Sequence, residues 1–274
     1  MPLFTIDEEK CRRDGICAAE CPVGIILPPE GDQTPAPTPD ADELCINCGH
    51  CVAVCPHGAL ALTTMGPEDC PPVHKDWGLS VERAEHFLRA RRSIRVYRDK
   101  PVPREIITRL IDIARYAPSG HNTQPVRWRV IYDSAKLPEL AGLVVDWVRY
   151  MIKEMPELAL SLHMDRVVDK WEKGFDAVLR GAPHLIIAHG EKDERSAPAG
   201  CTIALTHLDL AAPSFGLGVC WAGYFTAAAQ TWPPLQAALG LPEGHQVFGT
   251  MMIGHPRFEY HRLPLRNEPV ITWS

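Results

Sequence analysis

The chain has 274 residues, 46% of them apolar and 23% charged, which suits one large or two smaller globular domains and excludes a disordered or fibrous chain. A net charge of −6 supplies no general basic field, so neither nucleic acid nor an anionic membrane is an expected partner. Ten cysteines follow a start, MPLFTIDEEK, that lacks the basic and apolar regions of a signal peptide, which points to metal or redox chemistry in a reducing, cytoplasmic compartment.

Seven of the ten cysteines precede residue 56, in a segment short on long periodic helices and rich in proline. The first group, CRRDGICAAEC, holds Cys11, Cys17 and Cys21, with Asp14 three residues after the first. A polar, proline-laden stretch, residues 27–43, reads as a flexible insertion before the second group. That group, CINCGHCVAVCP, gives Cys45, Cys48, Cys51 and Cys55 followed by Pro56, the C-x2-C-x2-C-x3-C-P run of bacterial ferredoxins. Three thiolates so closely spaced wrap one cubane, and the fourth reaches a neighbouring cluster. Zinc sites instead pair C-x2-C units across a longer gap.

Laid on the first group, the same template places Cys11, Asp14 and Cys17 in the wrapping positions and Cys21, before Pro22, in the crossing one. The region therefore resembles a two-cluster, eight-iron ferredoxin domain. The resemblance implies one [4Fe-4S] cluster on Cys45, Cys48, Cys51 and Cys21, and a second on Cys11, Cys17 and Cys55 with Asp14 at its remaining corner. Asp14 has three readings: a carboxylate iron ligand, an empty corner that leaves a [3Fe-4S] cluster, or a carboxylate facing solvent beside the cluster. Cys70, Cys201 and Cys220 are read as structural thiols.

A second proline cluster, residues 66–78, reads as a linker, which divides the chain into residues 1–77 and 78–274. Beyond it the pattern changes to amphipathic helices with a few apolar strands. A helix ends in the cluster Arg91, Arg92, Ser93 and Arg95, whose guanidinium forks suit a phosphate. The next helix carries Ile106, Ile107, Leu110, Ile111 and Ala114 on one stripe and stops at Pro118. VRWRVIYD, PHLIIAHG and HQVFGTMMIGH are predicted strands, with helices around 135–180, 201–215 and 227–240. Spacing this wide fits an α+β layer architecture. The longest apolar stretch, from Cys201 to Phe225, contains His207, Asp209 and Pro213 and is expected to be a buried helix.

Four stretches, RRSIRVYRDKPV, APSGHNTQPVRW, GLGVCWAGYF and IGHPRFEYHRLPLR, in this order and at these separations, resemble the nitroreductase family of flavoenzymes across residues 80–274. The resemblance implies an α+β domain, a central sheet flanked by helices, that forms a homodimer with FMN at the subunit interface. By position, Arg91, Arg92, Ser93 and Arg95 match the phosphate and ribityl contacts. Pro118, Ser119, Gly120, Asn122 and Gln124 match the turn that reaches the flavin. Ala222 and Gly223 fall where a backbone N–H approaches flavin N5, and Arg262 and Arg266 match the basic residues that close on the phosphate. Residues 141–180 are the expected substrate lid. No G-x-G-x-x-G follows a strand, so a Rossmann domain is not expected, although NAD(P)H remains a co-substrate that the family binds transiently.

The whole reads as an iron-sulfur flavoprotein, an oxidoreductase in which a low-potential donor such as a ferredoxin feeds two clusters. FMN then reduces a nitroaromatic, a quinone or an activated alkene. Two other readings stay open. NAD(P)H or an organic substrate feeds FMN and the clusters pass electrons out to a partner, or the chain is a non-catalytic redox or iron sensor.

Overall fold

In the computed structural model, which describes residues 2–274, the chain divides into two units: residues up to 78 together with 121–123, and residues 79–120 together with 124–274. In the first unit β1 (Phe4–Ile6), α1 (Ile16–Glu20), β2 (Ile26–Leu27), β3 (Ala36–Pro37), α2 (Ala41–Leu44), α3 (His50–Val54) and β4 (Leu60–Leu62) follow in order. β1 pairs antiparallel with β4, Phe4 opposite Leu62 and Ile6 opposite Leu60. The stretch expected as a flexible insertion is partly ordered: β2 pairs with β3, and α2 closes the segment. Both strands are only two residues long, below what sequence periodicity registers.

The core of this unit is small. Phe4, Ile25, Ile26, Ala41, Val52, Leu60 and Leu62 are buried together with the thiols of Cys17 and Cys51. So few apolar side chains rarely hold a fold of this size in water, and small domains of this kind rely on metal or cross-links.

The second unit begins with α4 (Val81–Ala90) and α5 (Arg104–Ala114). β5 (Arg127–Ile131), α6 (Leu137–Glu154), α7 (Pro156–Ser161), α8 (Asp165–Glu172), β6 (His184–Glu191) and α9 (Ala197–Ala211) come next. β7 (Gly218–Trp221), α10 (Gly223–Thr231), α11 (Pro233–Leu239) and β8 (His245–Gly254) complete it. The four strands make one antiparallel sheet in the order β5-β6-β8-β7. β6 is buried from His184 to Gly190, because helices cover both faces of the sheet. Its Leu185 and Ile187 join a core with α6, α10 and α11, while Ile186 and Ala188 join another with α5 and α9. Side chains that alternate between two covered faces explain why this strand reads as a continuous apolar run.

Three helical expectations are corrected. The apolar stretch from Cys201 is not one helix: α9 ends at Ala211, a short 3-10 turn follows, and Gly216 at φ 68 reverses the chain into β7. β7 was not expected, since four apolar residues inside a longer apolar run carry no period of their own. The helix expected at 227–240 is two, α10 and α11, divided at Trp232 where Pro233 starts α11. The 135–180 region is likewise three helices, the first stopped ahead of Pro156. Among the described residues, no helix is long and apolar enough to cross a membrane.

Candidate functional site

The two cysteine groups share one backbone. Arg13 and Asn47 both take left-handed φ, 58° and 50°, and Gly15 and Gly49 follow, each at φ 72°. Helices α1 and α3 then each run five residues, and Cys21 and Cys55 end them with the same φ of −69° and ψ of 112°. Asp14 thus occupies the backbone position that Cys48 holds in the second copy.

Side chains sort into two sets. Cys21, Cys45, Cys48 and Cys51 line one pocket with Phe4, Ile25, Ile26 and Leu62. Burial pushes the Cys51 thiol up to about 11, and the charges of Cys48, Cys21 and Cys45 act in the same direction. Burial also raises the Cys17 thiol, with Cys55 and Cys11 as its charged neighbours. Among the described residues, no three Cys, His, Asp or Glu side chains come together tightly enough to hold a single metal ion. Four thiols lining one pocket, three of them at C-x2-C-x2-C spacing, suit the corners of an iron-sulfur cluster.

Asp14 is exposed. Its Oδ1 accepts the N–H of Ile16 at 3.2 Å, and its Oδ2 lies 3.8 Å from His57 Nε2. His57, two residues beyond Cys55, was not singled out from sequence. Among the other cysteines, Cys201 is fully buried with its thiol pushed up to about 12 by burial, Cys220 is buried, and Cys70 packs against the first unit's core.

In the second unit, α4 gives way to an extended segment anchored on the sheet edge. Ile94 N–H donates to Val219 O at 2.9 Å, and Gly218 admits Ile94, since a Cβ there would fall 2.2 Å from Ile94 Cγ1. Of the basic residues beside it, Arg91 pairs with buried Asp209 at 3.4 Å, and burial raises the Asp209 carboxyl despite the guanidinium. Arg92 donates from Nη2 to Arg89 O at 2.7 Å, while its buried Nε has no partner. Arg95 donates to Ser93 O at 3.4 Å, and Ser93 is half-buried. An orphaned, buried guanidinium N–H beside a hydroxyl fits a phosphate acceptor.

Pro118, Ser119 and Gln124 line a cleft of about 340 Å³ with Ile111, Val126 and Trp128. Ser119 Oγ accepts the N–H of Gln124 at 3.0 Å, and Gly120 approaches Ser196. His121, Asn122 and Gln124 all take left-handed φ. His121, Asn122 and Thr123 belong to the first unit. Asn122 Nδ2 donates to the carbonyls of Ile46 and Asn47 at 3.2 and 2.9 Å, between Cys45 and Cys48.

Ala222 N–H donates to Thr250 O at 3.0 Å, whereas Gly223 at the start of α10 opens on empty space, an added Cβ meeting nothing within 4 Å. Tyr224 follows, donating from its hydroxyl to Leu162 O at 2.8 Å. Arg262 and Arg266 lie on an exposed tail without regular structure and make no hydrogen bond or ion pair among the described residues.

Residues 88–255 match the Nitroreductase family and residues 9–60 match a 4Fe-4S dicluster domain. An NADH dehydrogenase of Thermus thermophilus is 30% identical over 211 residues, spanning 71% of this chain and 98% of the relative. An iodotyrosine deiodinase of Thermotoga neapolitana is 28% identical over 192 residues, spanning 69% and 96%. The crystal structure of an FMN-bound nitroreductase from Bacteroides fragilis superposes with a TM-score of 0.52 at 25% identity, over 68% of this chain and 94% of that one.

Proposed function

The chain belongs to the nitroreductase family and carries a 4Fe-4S dicluster domain ahead of it, and from that premise we propose that it couples two iron-sulfur clusters to FMN and reduces a small organic acceptor. One observation carries the proposal: thiols distant in sequence, Cys21 with Cys45, Cys48 and Cys51, and Cys55 with Cys11 and Cys17, gather as two cluster-sized sets in the same chain as a flavin-type fold.

FMN, when bound, accepts electrons singly from clusters and delivers two as a hydride to an acceptor such as a nitroaromatic, a quinone or an activated alkene. Arg92 and Ser93 take the phosphate end, supported by Arg91, whose charge Asp209 already holds in place. Gly223 N–H, at the positive end of α10, donates to the ring, favouring the electron-rich reduced state. Pro118, Ser119, Gly120 and Gln124 cover the ring, by the family's habit from the second subunit of a homodimer. Arg262 and Arg266 close on the phosphate in that dimer. The tail's exposed Leu265, Val270 and Trp273 gain a covered surface there.

In the first unit Cys45, Cys48, Cys51 and Cys21 hold one [4Fe-4S] cluster. Cys11, Cys17, Cys55 and Asp14 hold the other, whose carboxylate corner makes one iron exchangeable. The relative's printed activity as an NADH dehydrogenase favours a second reading, in which NAD(P)H reduces the flavin and the clusters are the exit.

Anaerobic mixing of the purified protein with NADH, NADPH or a reduced ferredoxin, following flavin absorption and cluster EPR together, separates the two directions. Fast bleaching by nicotinamide assigns it as donor. Reduction only by ferredoxin assigns the clusters as the way in. Absence of flavin or of iron from the purified protein overturns the proposal.

A further inference from the structure

The two cysteine groups share a backbone but not the hydrogen bonds around it. In the second group, the loop between Cys45 and Cys48 is held by a side chain from far along the chain, Asn122, which belongs to the same unit. Its Nδ2 donates to Ile46 O at 3.2 Å and to Asn47 O at 2.9 Å. An amide nitrogen carries two hydrogens, one for each of these carbonyls.

The Ile46–Asn47 peptide stands in the middle of a relay. Its carbonyl accepts from Asn122, and its N–H, that of Asn47, donates to Cys45 Sγ at 3.4 Å. A donor on an amide oxygen draws electron density from the nitrogen and makes the N–H on the far side more positive, so the two bonds strengthen one another. The backbone is set for this at both ends. Asn47 and Asn122 take left-handed φ of 50° and 53°, a conformation that asparagine tolerates better than most residues. Thr64 Oγ1, which donates to Asn47 Oδ1, ties the same loop through a side chain and leaves the peptide untouched.

The first group lacks the relay. Cys11 holds the position of Cys45, and Arg12 and Arg13 hold those of Ile46 and Asn47. Yet among the described residues no side chain donates to the carbonyl of Arg12 or Arg13, and no N–H reaches Cys11 Sγ. In that set it is Cys55 Sγ that accepts an N–H, from Ala59 at 3.4 Å.

Resting on the cluster reading above, we infer that Asn122 is a positioning residue for the cluster on Cys21, Cys45, Cys48 and Cys51, and that it raises the reduction potential of that cluster through the Ile46–Asn47 peptide. Reduction adds a negative charge that the sulfurs share, so a more positive N–H at Cys45 Sγ favours the reduced form. A cluster raised in this way takes its electron from a weaker donor. The other cluster, with no such amide behind its sulfurs, does not respond to residue 122.

The test uses the holoprotein, with iron content measured first, in four forms: wild type, N122G, N122D and T64A. Midpoint potentials of both clusters are read by EPR at controlled potential, and the signal that Cys45→Ser alters identifies the cluster concerned. Glycine removes the amide and keeps the left-handed backbone. N122G is expected to retain its iron and to lower the reduced-to-oxidised ratio of that cluster at least about threefold at fixed potential, about 28 mV for one electron. N122D, which has the same shape and no N–H donor, shifts it at least as far in the same direction. The second cluster does not move, and T64A leaves both potentials unchanged. Unchanged potentials in N122G, equal shifts in both clusters, a shift in T64A as large as that in N122G, or loss of iron from N122G would overturn the assignment, the last two by reducing Asn122 to a prop for the loop. A wild-type protein that lacks iron defeats the underlying cluster reading instead, and this is visible before any potential is set.

Discussion

The two units solve the same stability problem by different means. The second buries whole side chains on both faces of a four-stranded sheet, with Phe225, Leu185, Ile186 and Leu208 at 0% exposure. The first has a single small core in which two of the buried positions are cysteines. The difference teaches that one unit is specified by apolar area and the other by its ligand set, so agents that act on metal and agents that act on burial separate them.

The largest expected effect is the removal of iron. Anaerobic chelation should unfold the first unit and leave the second folded, because only the first lacks an adequate core. Limited proteolysis would then yield a resistant fragment starting near residue 79, and a first unit that stays protease-resistant without iron would break the comparison.

Next is a pH effect confined to the second unit. His189 is 6% exposed, its Nδ1 is 3.0 Å from His245 Nδ1, and burial lowers its pKa from 6.5 to about 4, helped by His245, Arg129 and Arg127. A base whose folded pKa is depressed contributes its full stability above the unfolded value and loses it as pH falls from 6.5 to 4. The loss is about 3 kcal/mol over that window. His189→Asn should flatten this acid limb in denaturant titrations of tryptophan fluorescence, and an unchanged slope between pH 7 and 5 would count against it.

Smaller effects sharpen the comparison of the two cysteine groups inside the first unit. Gly15→Ala and Gly49→Ala should each destabilise the holoprotein by about 1 kcal/mol, since both glycines sit at φ 72°. Gly49→Ala should cost more, because its Cβ would fall 2.6 Å from Met65 Sδ, whereas at Gly15 the nearest atom, Pro29 Cδ, is 3.7 Å away. Equal losses in thermal melts would mean that the Met65 side chain yields without cost.

Smallest in stability is Asp14→Cys, yet it decides the most about the clusters. A thiolate at that corner should give two ordinary four-iron clusters, visible as higher iron content and an altered EPR spectrum. Identical spectra from the variant and the wild type would place Asp14 away from the metal.

Much of this was legible in the sequence. Cysteine spacing announces its chemistry because ligands of one cluster lie within a few residues of each other, and the α5 stripe of Ile107, Leu110 and Ala114 is buried as its period predicts. The family resemblance rested on four short stretches whose order survives in the fold. Where reading failed, the local signal was ambiguous: β7 hides in an apolar run, and α10 and α11 read as one helix until Pro233 is given its weight.

The sequence by itself determined the α+β class, the ferredoxin-like first segment, the family of the second and the residue types available for metal and phosphate. Tertiary structure alone decided which of them meet. Asn122 donates to the carbonyls of Ile46 and Asn47, and Arg91 pairs with Asp209. The physical reason is range. Spacing and periodicity are written in consecutive residues, whereas partners tens of residues apart are chosen by strand register and by which faces are buried, and those depend on the whole chain at once.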